Sequence, residues 1–478
     1  MLFRTLSLMS FTIAGLAMAS GLESQELRIP AGSLVESRAG SSLVASTESF
    51  EVPAPVVAAM SNSVEPLVVL DFPVAPGRRE AVRWQRVEIW AEGAKIHWNG
   101  EAGPQAMDPP RGKFFRGVGM QSGARLAVRV EDAKLVGIAY TDDSLYDLLP
   151  FSETDRGLQS IALSLSMSTE DVEQSCANED AVVNDAVFRE ARSHVEPLLR
   201  PGSPTGLNGG DAAAAATSLA SIRGGVDKQM VIGVETDNSL WNKKGASFSS
   251  VNNYIADLFQ AMNVFYERDL GTRLVIGDTF HWPTANGADP YTNSSGASSS
   301  LLAEVRNYWN ANRTSVDRVF AMLLSGNSSS PFSSSGIATL SSNTYCGSSG
   351  YSMTQVFTYS SGAGAADAMV VGHEIGHNAG SPHTHCYSPV VDQCSNIGGG
   401  CWGGGLSCPP GGKGTLMSYC HFSSGSNCGS NKLEFHPTVI GQLSSLIEDA
   451  YPTCVEPLAG LFDIFNDGFE SGNTSRWQ

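Results

Sequence analysis

The chain has 478 residues, 42% of them hydrophobic, which is enough for packed cores and too long for one ordinary domain. Its net charge of −18 and pI near 4.9 argue against a nucleic-acid partner, which calls for basic patches. Acidity of this kind keeps an exported protein soluble.

The first residues, "MLFRTLSLMSFTIAGLAMAS", carry Arg4, then an apolar run, then the small-x-small site Ala17-Met18-Ala19. That pattern predicts a signal peptide over residues 1–19 and a secreted, extracellular product. The run is too short for a comfortable membrane span, and no other segment predicts stable membrane insertion.

Residues 66–150 follow as short alternating or apolar runs: "PLVVLDFPV", "RWQRVEIWA", "ARLAVRVED" and "KLVGIAYTD". Separated by Gly, Pro and Asp, they predict an antiparallel β domain, and no catalytic cluster falls within it. Residues 201–225 are dominated by Gly, Pro, Ala and Ser and read as a linker, with Arg200 and Arg223 as candidate cut sites.

Beyond the linker the pattern alternates. "KQMVIGVET" is a strand, and Val251, Ile255, Leu258, Phe259, Met262 and Phe265 recur at helical spacing after a cap at Ser249 or Ser250. "TRLVIGDTF" is a second strand, Leu302, Val305 and Trp309 mark a second helix, and "RVFAMLLSG" is a buried strand. This order predicts an α/β domain with a mostly parallel twisted sheet. Residues 326–364, rich in Ser and Gly, predict loops with one edge strand at most.

A third helix carries "AADAMVVGHEIGHNAG" and ends at Gly380, where a left-handed residue is expected. His373 and His377 stand four apart, so both imidazoles lie on one helix face and can grip one cation. Gly380 permits a reversal that returns His383 as a third nitrogen ligand; His385 is the alternative. Three protein ligands leave an open position, the arrangement of a catalytic rather than a structural zinc. Glu374 then serves as general base toward a water that attacks a carbonyl carbon, and later gives the proton to the leaving amine. His385, His421 and His436 read as polar or core-edge residues.

Cys346, Cys386, Cys394, Cys401, Cys408, Cys420, Cys428 and Cys454 crowd the last third. Their even number in an oxidising compartment predicts four disulfides of undetermined pairing. The spacings lack the close pairs of a zinc ribbon. Cys176 stands alone upstream.

"HEIGHNAGSPH" followed by "GTLMSYC" resembles the metzincin metalloproteases, and the helix wording is closest to the reprolysin or adamalysin branch. The resemblance covers roughly residues 226–456. It implies one catalytic Zn2+ on His373, His377 and His383, with Met417 as the methionine beneath the metal. Tyr419 matches the tyrosine that, in the astacin and serralysin branches, lies near the zinc; it reads equally as a packed aromatic. Adamalysins usually carry Asp directly after the third histidine, where this chain has Thr384, which puts a carboxylate tie between the two lobes in doubt. No calcium-binding repeat is visible, and calcium dependence is left open. Upstream, "FFRGVGMQSGARLAVRVEDAKLVGIAYTDDSLYDLLP" is similar in style to reprolysin-type propeptides, and Cys176, the odd thiol of the expected prodomain, is a candidate latency ligand.

The resulting expectation is a secreted zinc endopeptidase made as a zymogen and acting on protein or peptide substrates. Residues 1–19 are the signal peptide, 20–222 a mainly β prodomain, 226–456 the catalytic domain with a disulfide-rich lower lobe, and 457–478 a short acidic tail. Two rivals stand beside it: a catalytically idle binding protein on a protease fold, and a zinc amidase acting on non-peptide amides.

Overall fold

The structure is a computed structural model that describes residues 27–30, 48–64, 66–100, 103–110, 112–131, 134–141, 144–153, 159–165, 175–176, 225–283, 289–292, 297–327, 334–340, 344–356, 365–398, 400–421, 428 and 431–459. The signal peptide, Arg200, Arg223, nearly all of the linker stretch and most of the acidic tail lie outside the described residues. Among those described, no helix is long and apolar enough to cross a membrane.

The first half is strand-rich. Strands β1 (Glu48–Val52), β2 (Leu67–Ala75) and β3 (Arg78–Val87) precede the pair β4 (Ile96–Gly100) and β5 (Gly103–Met107). Then come β6 (Lys113–Gly119), β7 (Arg125–Glu131), β8 (Lys134–Thr141), β9 (Ser144–Glu153), β10 (Gln159–Leu165) and the two-residue β11 (Ser175–Cys176). Among the described residues one helix, α1 (Ala54–Asn62), interrupts them. Eight of these strands form a wholly antiparallel sheet in the order β1-β10-β9-β8-β7-β6-β3-β2.

Alternation along each strand sends neighbouring side chains to opposite faces. Phe115, Val128 and Ala139 face a core shared with Val56 and Met60 of α1, while Phe114, Ala127 and Ile138 face the other way.

The second half contains β12 (Lys228–Thr236), α2 (Asn238–Lys243), α3 (Phe248–Leu270), β13 (Thr272–His281) and α4 (Ser299–Asn312). It continues with β14 (Phe320–Ser325), β15 (Ser334–Ala338), β16 (Tyr351–Gln355), α5 (Ala365–Asn378), α6 (Pro437–Ala450) and β17 (Glu456–Pro457). Its sheet runs β11-β15-β16-β14-β12-β13-β4-β5, with β17 added beside β12. The pairs among β16, β14, β12, β13 and β4 are parallel, whereas β15 runs antiparallel to β16 and β17 antiparallel to β12. The sheet is therefore mixed. The Ser/Gly-rich stretch expected to hold one edge strand at most holds two, because β16 is an inner strand buried along its whole length. Small side chains such as Ser352 and Thr354 fit an inner strand once both faces are covered, and that cover comes from elements distant in sequence.

The apolar positions read for α3 are all buried, but Ser247 stands at its N-cap, two or three residues before the expected Ser249 or Ser250, and Gly271 ends it in a left-handed turn at φ 59°. Every residue from 254 to 266 is buried, so α3 has no solvent face over more than three turns. One side packs on α5: Tyr266 Oη donates to Gly372 O at 2.9 Å, and Tyr254 Oη to Asp367 Oδ2 at 3.0 Å. The other side packs on the antiparallel sheet. Arg129 of β7 reaches Asp257 with Nε at 2.9 Å and Nη2 at 3.0 Å, a buried bidentate pair. Arg116 of β6 pairs with Glu267 at 3.1 Å and also bonds Gln260. Removing one member of such a buried pair costs roughly 3–5 kcal/mol, because the other charge is left in the core.

At the end of β12, Glu235 is fully buried and accepts Trp282 Nε1 at 2.7 Å, and burial pushes its carboxyl up to about 7. The folded chain therefore holds this proton more tightly than the unfolded chain. Its contribution to stability is present at low pH and is lost as pH rises from near 4.5 through about 7. Glu235→Gln is expected to remove that slope. In urea titrations across this window, the variant should gain on the parent with rising pH by up to about 3 kcal/mol. A difference independent of pH would contradict the assignment.

Candidate metal centre

Three pieces of chain build the site: helix α5, the turn that follows it, and a second turn at residues 415–419. Helix α5 ends because Gly380 takes φ 105°. A Cβ there would come within 2.5 Å of Leu446 on α6, so glycine is required by both conformation and space. The reversal is closed by Ser381 N donating to Gly376 O at 3.0 Å and Gly380 N to His377 O at 2.9 Å. Two residues on, His383 faces back toward the helix.

His373, His377 and His383 are all buried and meet at their Nε2 atoms. That of His383 lies 3.2 Å from His373 Nε2 and 3.1 Å from His377 Nε2. The far side of two rings is anchored on carbonyls: His373 Nδ1 donates to Leu416 O at 2.8 Å and His377 Nδ1 to Ser381 O at 2.6 Å. A carbonyl can only accept, so each Nδ1 carries a proton, and both rings turn Nε2 toward His383. Burial drives the pKa of His373 and of His383 well below 6.5, with the neighbouring imidazoles adding to the effect. Converging neutral imidazole lone pairs in a buried pocket are the donor set of a zinc ion, and the residues present fit one.

Glu374 follows His373 on α5 and is 1% exposed. Gly336 of β15 is what admits it, since any side chain there would collide with the Glu374 carboxylate. Met417 is buried beneath the helix, and a Cβ at Gly376 would come within 2.7 Å of its sulphur. Tyr419 places its ring 4.1 Å from that of His383. His385 stacks behind His383 at 5.5 Å, bonded through Nε2 to Ile397 O at 3.0 Å, so it stands outside the converging trio. His436 caps α6 by accepting Thr438 N at 3.2 Å. Cys176 is described through its backbone alone, in β11, opposite Gly336.

The sequence left open which group ties the third-histidine segment to the turn under the helix. That tie comes from Asp392, which is buried. Its Oδ2 accepts Ser418 Oγ at 2.8 Å and its Oδ1 accepts Cys394 N at 3.1 Å. Ser418 Oγ in turn lies 3.0 Å from Thr384 Oγ1 and accepts Thr415 N at 3.0 Å. Thr384 N donates to Met417 O at 3.0 Å. The carboxylate missing beside His383 is thus supplied eight positions later. A signal existed: Asp392 is the sole acidic residue between Glu374 and Glu434.

The four disulfides pair Cys346–Cys454, Cys386–Cys401, Cys394–Cys420 and Cys408–Cys428. Cys394–Cys420 fastens the same two segments that Asp392 bridges.

Residues 227–432 match the family model Reprolysin_5, described as metallo-peptidase family M12. No curated protein matches the chain. Among solved structures, metalloproteinase-II from Bacteroides fragilis is similar at 12% identity, over 72% of this chain and 87% of that one. The TM-score is 0.29, and so loose a superposition carries no argument.

Asp392→Ala is expected to leave Ser418 Oγ and Cys394 N without their buried acceptor and to cost about 1–3 kcal/mol. The thermal midpoint of the full chain should fall accordingly. A midpoint equal to the parent's would show that the carboxylate does not hold these segments together.

Proposed function

Residues 227–432 belong to the M12 metallopeptidases, in their reprolysin-like branch, and from that premise we propose that the chain is a secreted zinc endopeptidase made as a zymogen. The observation supporting this most directly is the meeting of three imidazole Nε2 atoms beside a buried glutamate. In this reading His373, His377 and His383 hold one Zn2+. When bound, the ion supplies Lewis acidity to a water and to the scissile carbonyl.

The remaining work falls to the chain's own side chains. The hydrogen bonds at Nδ1 keep His373 and His377 oriented with their lone pairs inward. Glu374 takes the proton of the attacking water and delivers it to the leaving amine. Tyr419, against His383, donates its hydroxyl to the developing oxyanion. Met417 supports the helix from below at Gly376.

The pairing of β11 with β15 supports the zymogen part of the reading. Cys176 sits in register with Gly336, the residue that abuts the Glu374 carboxylate. An upstream segment there covers the sheet edge beside the site, with Cys176 as the latency ligand until the chain is cut. The retained Glu374 speaks against an idle binding protein, which has no use for a general base. An amidase acting on non-peptide amides would leave a fluorogenic peptide library uncut.

Removing metal with a chelator should abolish peptide cleavage and added zinc should restore it. Glu374→Gln should keep bound zinc, read by elemental analysis, while losing roughly 10²–10⁴-fold in kcat. Tyr419→Phe should lower kcat by roughly 10²-fold with little change in KM. Normal turnover by the Glu374 variant would overturn the mechanism.

Cys176→Ala in an uncut precursor, with Arg200 and Arg223 replaced, should cleave peptide where the parent stays latent. Equal latency would remove Cys176 from the inhibitory role.

A further inference from the structure

Among the described residues, the N-terminal half touches the M12 segment in three places of very different size. At the far edge of the mixed sheet, β4 runs parallel to β13 with Ile96, His97 and Trp98 opposite Thr279, Phe280 and His281. The approach to this strand is bonded as well: Ile276 N donates to Ile89 O at 2.7 Å, Ala91 N to Ile276 O at 2.8 Å and Thr279 N to Lys95 O at 2.9 Å. His97 stacks on Phe280 at 4.7 Å, and Trp98 packs on Phe248 at 4.6 Å. The second contact is the long face of α3, held by the Arg129–Asp257 and Arg116–Glu267 pairs. Apolar residues from both halves merge there into one cluster, in which Phe114, Ala127, Ile138 and Tyr140 join Tyr254, Val264 and Phe265. The third contact is β11, two residues long, at the opposite sheet edge.

We propose that residues 48–165 remain a non-covalent subunit of the mature enzyme after the chain is cut in the 177–224 stretch. Without this subunit β13 becomes an open sheet edge. Helix α3, buried without interruption from 254 to 266, exposes apolar surface and the orphaned carboxylate of Asp257. Among the described residues β11 meets β15 at two positions, Ser175 opposite Ser334 and Cys176 opposite Gly336. Anchoring and blocking are therefore separate: the sheet and the β4–β5 pair stay, and only the β11 segment has to leave the site. The proposal rests on the zymogen reading in one respect, that the chain is cut between the two parts.

The test starts from the full chain carrying one engineered protease site within residues 203–215 and a second within residues 166–174. After both cuts, size-exclusion chromatography at nanomolar concentration should return the 48–165 and the M12 fragments in one peak. Separate peaks would overturn the proposal, whatever happens to activity. Co-elution without a gain in peptide cleavage would instead count against latency through β11 and leave the subunit proposal standing.

Arg129→Ala should weaken the association of the cut fragments on the order of 100-fold, by stranding Asp257. Should that variant fail to fold, Trp98→Ala at the sheet edge should still weaken it measurably. Association unchanged in a folded variant of either kind would show that this surface does not hold the fragments together.

Discussion

Three buried imidazoles, with His383 Nε2 3.2 Å from that of His373 and 3.1 Å from that of His377, form an arrangement no isolated helix can make. Two can come from one helix turn, but the third has to be brought back against it and kept there. The local devices serve that end. Gly380 turns the chain, Ser381 O accepts the proton of His377, and Leu416 O accepts that of His373. The turn bearing Met417 is locked in turn to Thr384 and Asp392, and the Cys394–Cys420 bond closes the same loop covalently. Lower-lobe residues rich in glycine bury little, so covalent and polar ties take over the holding that packing does elsewhere.

Helix α5, which carries His373 and His377, is positioned from its other side by α3. Gly372 lets Phe265 approach the backbone of α5, and Tyr266 bonds the Gly372 carbonyl. The same α3 is gripped on its opposite side by Arg129 and Arg116. A continuous set of packed and paired groups thus runs from the antiparallel sheet to His373. Its consequence is that the N-terminal half packs into the architecture behind α5.

Much of the site was legible in the sequence. The spacing of His373, Glu374 and His377 follows from helix geometry alone, and Gly380 is demanded by any chain that must reverse there. The strands β12, β13 and β14 and the buried face of α3 show in apolar periodicity, because each is buried by neighbours that any α/β order supplies. The eight cysteines crowded into the last third are likewise read directly from the sequence.

Tertiary structure alone decided the rest. Disulfide pairing depends on which loops come within bonding distance. The inner strand β16 hides behind serines and threonines, because burial there is set by the elements that cover it and not by its own hydrophobicity. Asp392 stands out in sequence only as the lone acid of its stretch; its role is set by the fold, which brings Ser418 to it and Thr384 to Ser418. The far edge of the mixed sheet is finished by β4 and β5, more than 160 residues upstream of β13. Strand pairing at that separation is written in backbone hydrogen bonds common to every residue type, so sequence carries almost no record of it.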